Sequence, residues 1–182
     1  MVTKKSLSAL KMAYISLGAV LIALCSWISV PATVPFTLQT FAVLLVFDLL
    51  GGRWGLVSVL LYLLLGAVGF PVFSGFSGGL GHLLGMTGGY ILGFVLSALV
   101  MALMQRLLPR RRVFTLLSMA LGLLACYAAG SVWFMQVYTQ TKGAISLGAV
   151  LSICVVPYLI PDAIKIVLAC LISERLRAAL HL

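Results

Sequence analysis

Long apolar runs, punctuated by glycine, proline and clustered basic residues, set the rhythm of the chain. Six of them stand out, at about residues 9–30, 38–50, 54–70, 87–108, 113–137 and 145–173. Most approach the ~20 residues a helix needs to cross a ~30 Å hydrocarbon layer. The pattern predicts an all-α integral membrane protein, a bundle of six transmembrane helices formed by residues 1–182 as a single domain. The run 38–50 is short for a span and ends in Gly51-Gly52, so a tilted, broken or neighbour-shielded helix is expected there. Between the third and fourth runs lies FPVFSGFSGGLGHLLGMTGGY, residues 70–90. So many glycines preclude a regular helix throughout, and non-helical backbone at membrane depth persists only where protein buries it or a wet cavity adjoins it. A Gly-rich external loop beside an outward cavity is one reading, and a plain flexible loop is the other.

Composition supports lipid as the main solvent. Hydrophobic residues make up 63% of the chain and charged residues 8%, against roughly 25% charged in soluble domains. The net charge of +9 would suggest nucleic acid in a soluble protein, but here the cations mark topology. Lys4, Lys5 and Lys11, then Arg53, then Arg106 and Arg110 to Arg112, then Arg175 and Arg177 fall on alternate turns of a serpentine, whereas the opposite turns carry only Lys142. The positive-inside rule then places both termini in the cytoplasm and requires an even number of spans, as in a multi-pass protein of a bacterial-type plasma membrane. The first run is too long for a signal-peptide core, which usually has ~7–15 residues, so a first membrane helix is the better reading. Trp27, Trp54 and Trp133 sit where interfacial anchors sit. Cys25, Cys126, Cys154 and Cys170 lack paired spacing, so buried, inert thiols are expected and no metal site.

Two charges interrupt the last run. In IPDAIKIVLACL, residues 160–171, Asp162 and Lys165 stand three apart. One charge at mid-membrane costs about 2.5–3.5 kcal/mol on insertion scales, so two in one helix need partners or water. At i and i+3 they share a helical face and neutralise one another, while Pro161 is expected to kink the helix beside them. A structural ion pair is one reading. The other is a receptor for a small polar ligand that carries both N–H donors and an anionic group. Asp48 adjoins Arg53 and is expected to form a surface pair. Gly75-Phe76-Ser77-Gly78-Gly79 matches the G-x-S-x-G serine elbow, but no strand precedes it and only His82 and His181 could serve as base, so an intramembrane serine protease is disfavoured. No phosphate-binding loop occurs, and no internal repeat supports a self-sufficient channel or ion-coupled carrier, which stays open as the alternative. Ala9 and Ala13, and again Ala19 and Ala23, are spaced as small residues at close helix contacts, within the bundle or against a partner.

Together VPFTLQTFAVLL (34–45), SGGLGHLLGMTGGYILGF (77–94) and IPDAIKIVLA (160–169) resemble the BioY family, the biotin-specific S components of energy-coupling-factor transporters. The resemblance runs from the first span to the last. It departs from the family at Met86, where proline is more usual, and at Pro161, where glycine is common. It implies a six-helix protein that captures biotin from outside and works with a transmembrane coupling protein, EcfT, and two cytoplasmic ABC-type ATPase subunits. It implies no catalysis in this chain and no cofactor of its own, ATP being used only by the partner subunits. It carries biotin contact onto Asp162, Lys165 and Tyr90. Gln39 and Thr40 of PFTLQT are expected to complete the polar set, Phe36 to cover the ring, and Gly88 and Gly89 to let backbone approach the ligand. The family's coupling-protein surface falls on Ala9 and Ala13.

Overall fold

The computed structural model describes residues 4–180, with side-chain environments for residues 9–179; the side chains of Lys4 and Lys5, and His181 altogether, lie outside them. The helices are α1 (Lys4–Trp27), α2 (Gln39–Val68), the short α3 (Leu80–Leu83), α4 (Gly88–Leu107), α5 (Arg112–Lys142), α6 (Leu147–Cys154) and α7 (Leu159–Leu180). A two-stranded antiparallel ribbon, β1 (Ser29–Val30) and β2 (Phe36–Thr37), links α1 to α2.

Although α2 runs without a gap in sequence, it is a hairpin of two helices that meet at Gly51. Gly51 has φ 77° and ψ 170°, a conformation essentially confined to glycine. Gln39 and Tyr62, on opposite sides of it, are joined by a 2.7 Å hydrogen bond, whereas 23 residues of straight helix would separate them by roughly 35 Å. A Cβ built on Gly55 would stand 2.7 Å from the Cα of Phe47, so the two arms, residues 39–50 and 52–68, pack backbone to backbone. Six spans result: α1, the two arms of α2, α4, α5, and α6 with α7.

The first arm is the axis of the bundle. Ala42 to Asp48 are buried without a break, which is how a 12-residue apolar helix too short to span on its own is accommodated, since neighbours rather than lipid surround it. Gly18 lets α1 seat between the arms, against Val46 and Ser58. α4, α5 and α7 close the other side, with Met101, Met119, Ala169 and Phe47 in one core cluster. Outward, exposed Leu92, Leu96, Leu99 and Leu103 repeat at helical spacing along α4, a lipid-facing stripe.

The last span differs from the expected single kinked run. α6 stops at Cys154, a tight turn covers Val156–Tyr158, and α7 starts afresh at Leu159, which puts Pro161 in its first turn. There a proline's missing N–H costs nothing, because that position has no intrahelical partner. The cations gather at one end of the bundle: Lys11 and Arg53 lie over Trp54, and Arg110 lies beside the hairpin turn at Gly51. At that end Asp48 departs from the expected surface pair with Arg53. It is buried, 2% exposed, and takes hydrogen bonds from Arg177 and from Ser173, the latter at 2.6 Å. A carboxylate inside the axial helix cannot reach solvent, so it needs a cation from another helix. Arg112 and Glu174 form a more exposed bridge nearby, at 2.6 Å.

Gly55→Ala should lower the thermal unfolding midpoint in detergent, because the added methyl meets the Phe47 backbone, which cannot yield as a side chain would. Gly148→Ala, with nothing within 4 Å, should be neutral or slightly stabilising. Equal midpoints for the two variants would contradict the close packing of the arms.

Candidate functional site

At the end of the bundle opposite the basic cluster, the β1–β2 ribbon, the 69–87 loop and the starts of α4 and α7 surround a cavity. It encloses about 640 Å³, its open mouth included. The wall has the makeup of a small-molecule site, apolar side chains with several converging polar groups.

Asp162 and Lys165 form its charged centre. Both are nearly buried, 3% and 5% exposed, and the ammonium lies 2.7 Å from Asp162 Oδ1. Starting α7 at Leu159 places Asp162 in the first turn, where the unpaired N–H groups of the helix end favour a carboxylate. Lys165 also donates to the Thr37 carbonyl of β2 at 2.7 Å, and its Nζ sits 4.1 Å from the centroid of the Phe36 ring. The ribbon is thus tied to α7 through one side chain. Asp162 Oδ2 accepts from Tyr127 of α5 at 2.5 Å. The Asp162–Lys165 pair has capacity left over. An ammonium has three donors and two are engaged; a carboxylate has about four acceptor positions and two are engaged.

The other expected residues are placed as follows. Tyr90, Gln39 and Thr40 line the cavity with the pair. Tyr90 packs on Gly130, where a Cβ would come within 2.1 Å of its ring, and shares a 3.2 Å hydrogen bond with Ser131. Gln39 donates to Tyr62. Phe36 lies over the ammonium and stacks on Tyr158, whose hydroxyl donates to the Val34 carbonyl. Gly88 and Gly89 stand one layer back from the wall: side chains there would strike the Leu83 carbonyl and the Trp133 side chain, so these glycines permit close packing of α4 on its surroundings. Ala9 and Ala13 are exposed on α1, while Ala19 and Ala23 are buried within the bundle. Ser77 of the serine motif donates to the Ser74 carbonyl at 2.7 Å, and His82 stacks on Phe73 instead of meeting it.

Tyr127, Tyr158, Cys126, Cys154 and His82 also line the cavity and were not among the residues expected. For Tyr127 a signal existed. With Gly130 and Ser131 it stands at i, i+3 and i+4, a small and polar face on an otherwise apolar helix. The two tryptophans at this end do more than sit at an interface. Trp27 donates to the Pro71 carbonyl at 2.8 Å and Trp133 to that of Gly85 at 3.0 Å, and Ser26 reaches the Val72 carbonyl at 2.5 Å. The Gly-rich segment is therefore a fastened cover. The four cysteines are buried and free, and no cluster of metal-binding side chains occurs among the described residues.

Comparison with known proteins agrees with this architecture. The BioY family model matches residues 1–182. The chain belongs to the BioY family. The biotin transporter BioY of Thermotoga maritima is 43% identical over 161 residues, 86% of this chain and 89% of that one. The "Probable biotin transporter BioY" of Pyrococcus horikoshii is 41% identical over 167 residues, 90% and 95% of the two chains. The crystal structure of the S-component for biotin from an ECF-type ABC transporter superposes with TM-score 0.85 at 23% identity, covering 98% of this chain and 95% of that one, and shares its fold. Members of this family are transporter components and not enzymes.

Burial holds the His82 imidazole below its ordinary value of 6.5, so it is neutral at pH 7. The unfolded chain protonates first on acidification, so stability should fall as pH drops below about 6.5. His82→Gln should flatten that part of the profile of thermal midpoint against pH; an unchanged profile would show that His82 is not responsible.

Proposed function

We propose that this chain is the biotin-capturing subunit of an energy-coupling-factor importer and that biotin occupies the cavity around Asp162 and Lys165. The observation that carries the reading is this buried pair with unused hydrogen-bonding capacity, set in the wall of a cavity that also presents apolar and uncharged polar side chains. Biotin is complementary to it. Its ureido ring offers two N–H donors and a carbonyl, its tail ends in a carboxylate, and the ring sulfur and methylenes between are apolar. Asp162 accepts from N–H groups, and Lys165 and Tyr90 donate to oxygen. Gln39 and Thr40 extend the polar wall, and Phe36 and Tyr158 supply aromatic surface for the ring. Tyr127 holds the carboxylate in place.

The chain carries no phosphate-binding loop, so ATP-driven work falls to other subunits. The energy comes from two cytoplasmic ATPase subunits acting through the transmembrane coupling protein EcfT, against which exposed Ala9 and Ala13 offer a small-residue surface. The cationic end faces the cytoplasm with both termini, which turns the cavity outward. No cofactor resides in the chain itself, and ATP is consumed only by the partners.

Equilibrium binding of biotin to the purified chain tests the assignment. Lys165→Ala and Asp162→Asn should each weaken binding by about 10- to 100-fold, the loss expected for a hydrogen bond to a charged group. Tyr127→Phe, which removes a hydrogen bond to Asp162 and none to the ligand, should weaken it less, by about fivefold. Wild-type affinity in a well-folded Lys165→Ala variant would remove Lys165 from the site. Vesicles bearing this chain alone should not accumulate biotin under an ion gradient, and accumulation there would instead indicate a self-sufficient carrier.

A further inference from the structure

The basic end of the bundle carries a second recess, remote from the cavity and independent of its assignment. It lies between the second arm of α2 and α4, with Gly51 and Gly52 at its head and Arg53, Arg106 and Arg110 around it. No acidic residue lines it. The setting contrasts with the neighbouring arginines, since Arg112 is bridged to Glu174 and Arg177 to Asp48, whereas no salt bridge joins Arg53, Arg106 or Arg110 to an acid among the described residues. Asp48 does not line the recess; it accepts from Gln105 at 3.5 Å and borders a separate crevice with Arg110, and its charge is already matched by Arg177.

Below the arginines the walls change character. Val57, Leu99 and Leu103 continue the recess toward the middle of the bundle and are 37%, 47% and 52% exposed, on faces that meet lipid. The glycine at the hairpin turn shapes the top: Arg110 Nη2 lies 3.6 Å from where a Cβ on Gly51 would stand, so the guanidinium rests over the turn. Three guanidinium groups clustered at the boundary between a polar end and an apolar groove match a molecule with a phosphate at its head and hydrocarbon beneath it. Guanidinium binds phosphate through paired, charge-assisted hydrogen bonds, and basic recesses between spans on the positive side of a membrane protein are suited to acidic headgroups.

The geometry points to a binding site for an anionic phospholipid of the leaflet at the basic end, its phosphate held by Arg53, Arg106 and Arg110 and one acyl chain lying along Val57, Leu99 and Leu103. A soluble phosphate would use the cations and leave the groove empty, while a zwitterionic lipid would fill the groove and pay little electrostatic attention to the arginines.

Native mass spectrometry of the full chain in detergent, titrated with phosphatidylglycerol or with phosphatidylcholine of the same acyl chains, separates these cases. The wild type should retain phosphatidylglycerol in preference, and each of Arg53→Gln, Arg106→Gln and Arg110→Gln should reduce that preference by about fivefold. Neutralising Arg175, outside the recess, should leave it within about twofold. Glycerophosphoglycerol, the same headgroup without chains, should compete poorly. No preference in the wild type, equal loss with Arg175→Gln, or full competition by the chainless headgroup would each overturn the proposal. If a recess variant fails to give a monodisperse protein, the wild-type lipid preference and the chainless competition still decide it. Absence of retained lipid together with capture of an acidic peptide would likewise overturn it, in favour of a protein partner.

Discussion

Enclosing a carboxylate and an ammonium deep in an apolar bundle constrains everything around the cavity. Neither charge is tolerable alone in a medium that solvates it poorly, and removing one partner of such a pair typically costs about 3–5 kcal/mol. The pair is therefore met from three directions. α7 supplies both charges, α5 supplies Tyr127, and β2 supplies a backbone carbonyl and the Phe36 ring. Elements far apart in sequence are held together by the requirement that these two groups be satisfied. The break between α6 and α7 belongs to the same arrangement, because it puts Asp162 at a helix start, where the backbone itself helps to hold a negative charge.

Close backbone approach is the second constraint, and glycine meets it. The arms of α2 touch at Gly55, α1 enters between them at Gly18, Trp133 lies on Gly89, and Tyr90 lies on Gly130. Without a hydrophobic drive between helices in lipid, association rests on dispersion and shape, which small residues at the contact maximise. Tyr90 shows how packing shapes the cavity wall. The missing side chain at position 130 lets its ring lie flat on α5, and this sets the height at which its hydroxyl meets the cavity. The Gly-rich cover is likewise fixed by its surroundings, through Ser26, Trp27 and Trp133, so its glycines give shape more than freedom.

Hydropathy and charge order made the six spans readable, and the short second run was flagged by its length and by Gly51-Gly52. Its position on the bundle axis was not readable, since an all-round apolar helix looks the same whether lipid or protein surrounds it. The Asp162–Lys165 pair was legible because ionisable residues in an apolar run are costly and must have a reason. Tyr127 is hard to read from the sequence because a tyrosine in such a run costs little, and its contact with Asp162 depends on a helix distant in sequence. Pro161 misled for a related reason: proline kinks a helix that is already under way, and nothing local revealed that a new helix starts two residues before it. Asp48 was paired with the nearest cation in sequence, although burial forced it to one 129 positions away.

Asp48 and Asp162 differ in what the fold leaves around them. Both are almost fully buried carboxylates paired with a cation. Burial and pairing thus do not separate them. Asp48 is held by Arg177 and Ser173 against α7 and approached by Gln105 of α4, and it borders a crevice of about 240 Å³. Asp162 keeps acceptor positions free beside a cation with a free donor, facing a cavity of about 640 Å³, its open mouth included, whose remaining wall mixes aromatic and aliphatic side chains with Gln39, Thr40 and other uncharged polar groups. A group whose hydrogen bonds are completed by the fold contributes to the fold. Asp162, whose hydrogen bonds remain incomplete beside a cavity, is the candidate for completion by a ligand, and the free energy the chain gives up in leaving it so is available as affinity.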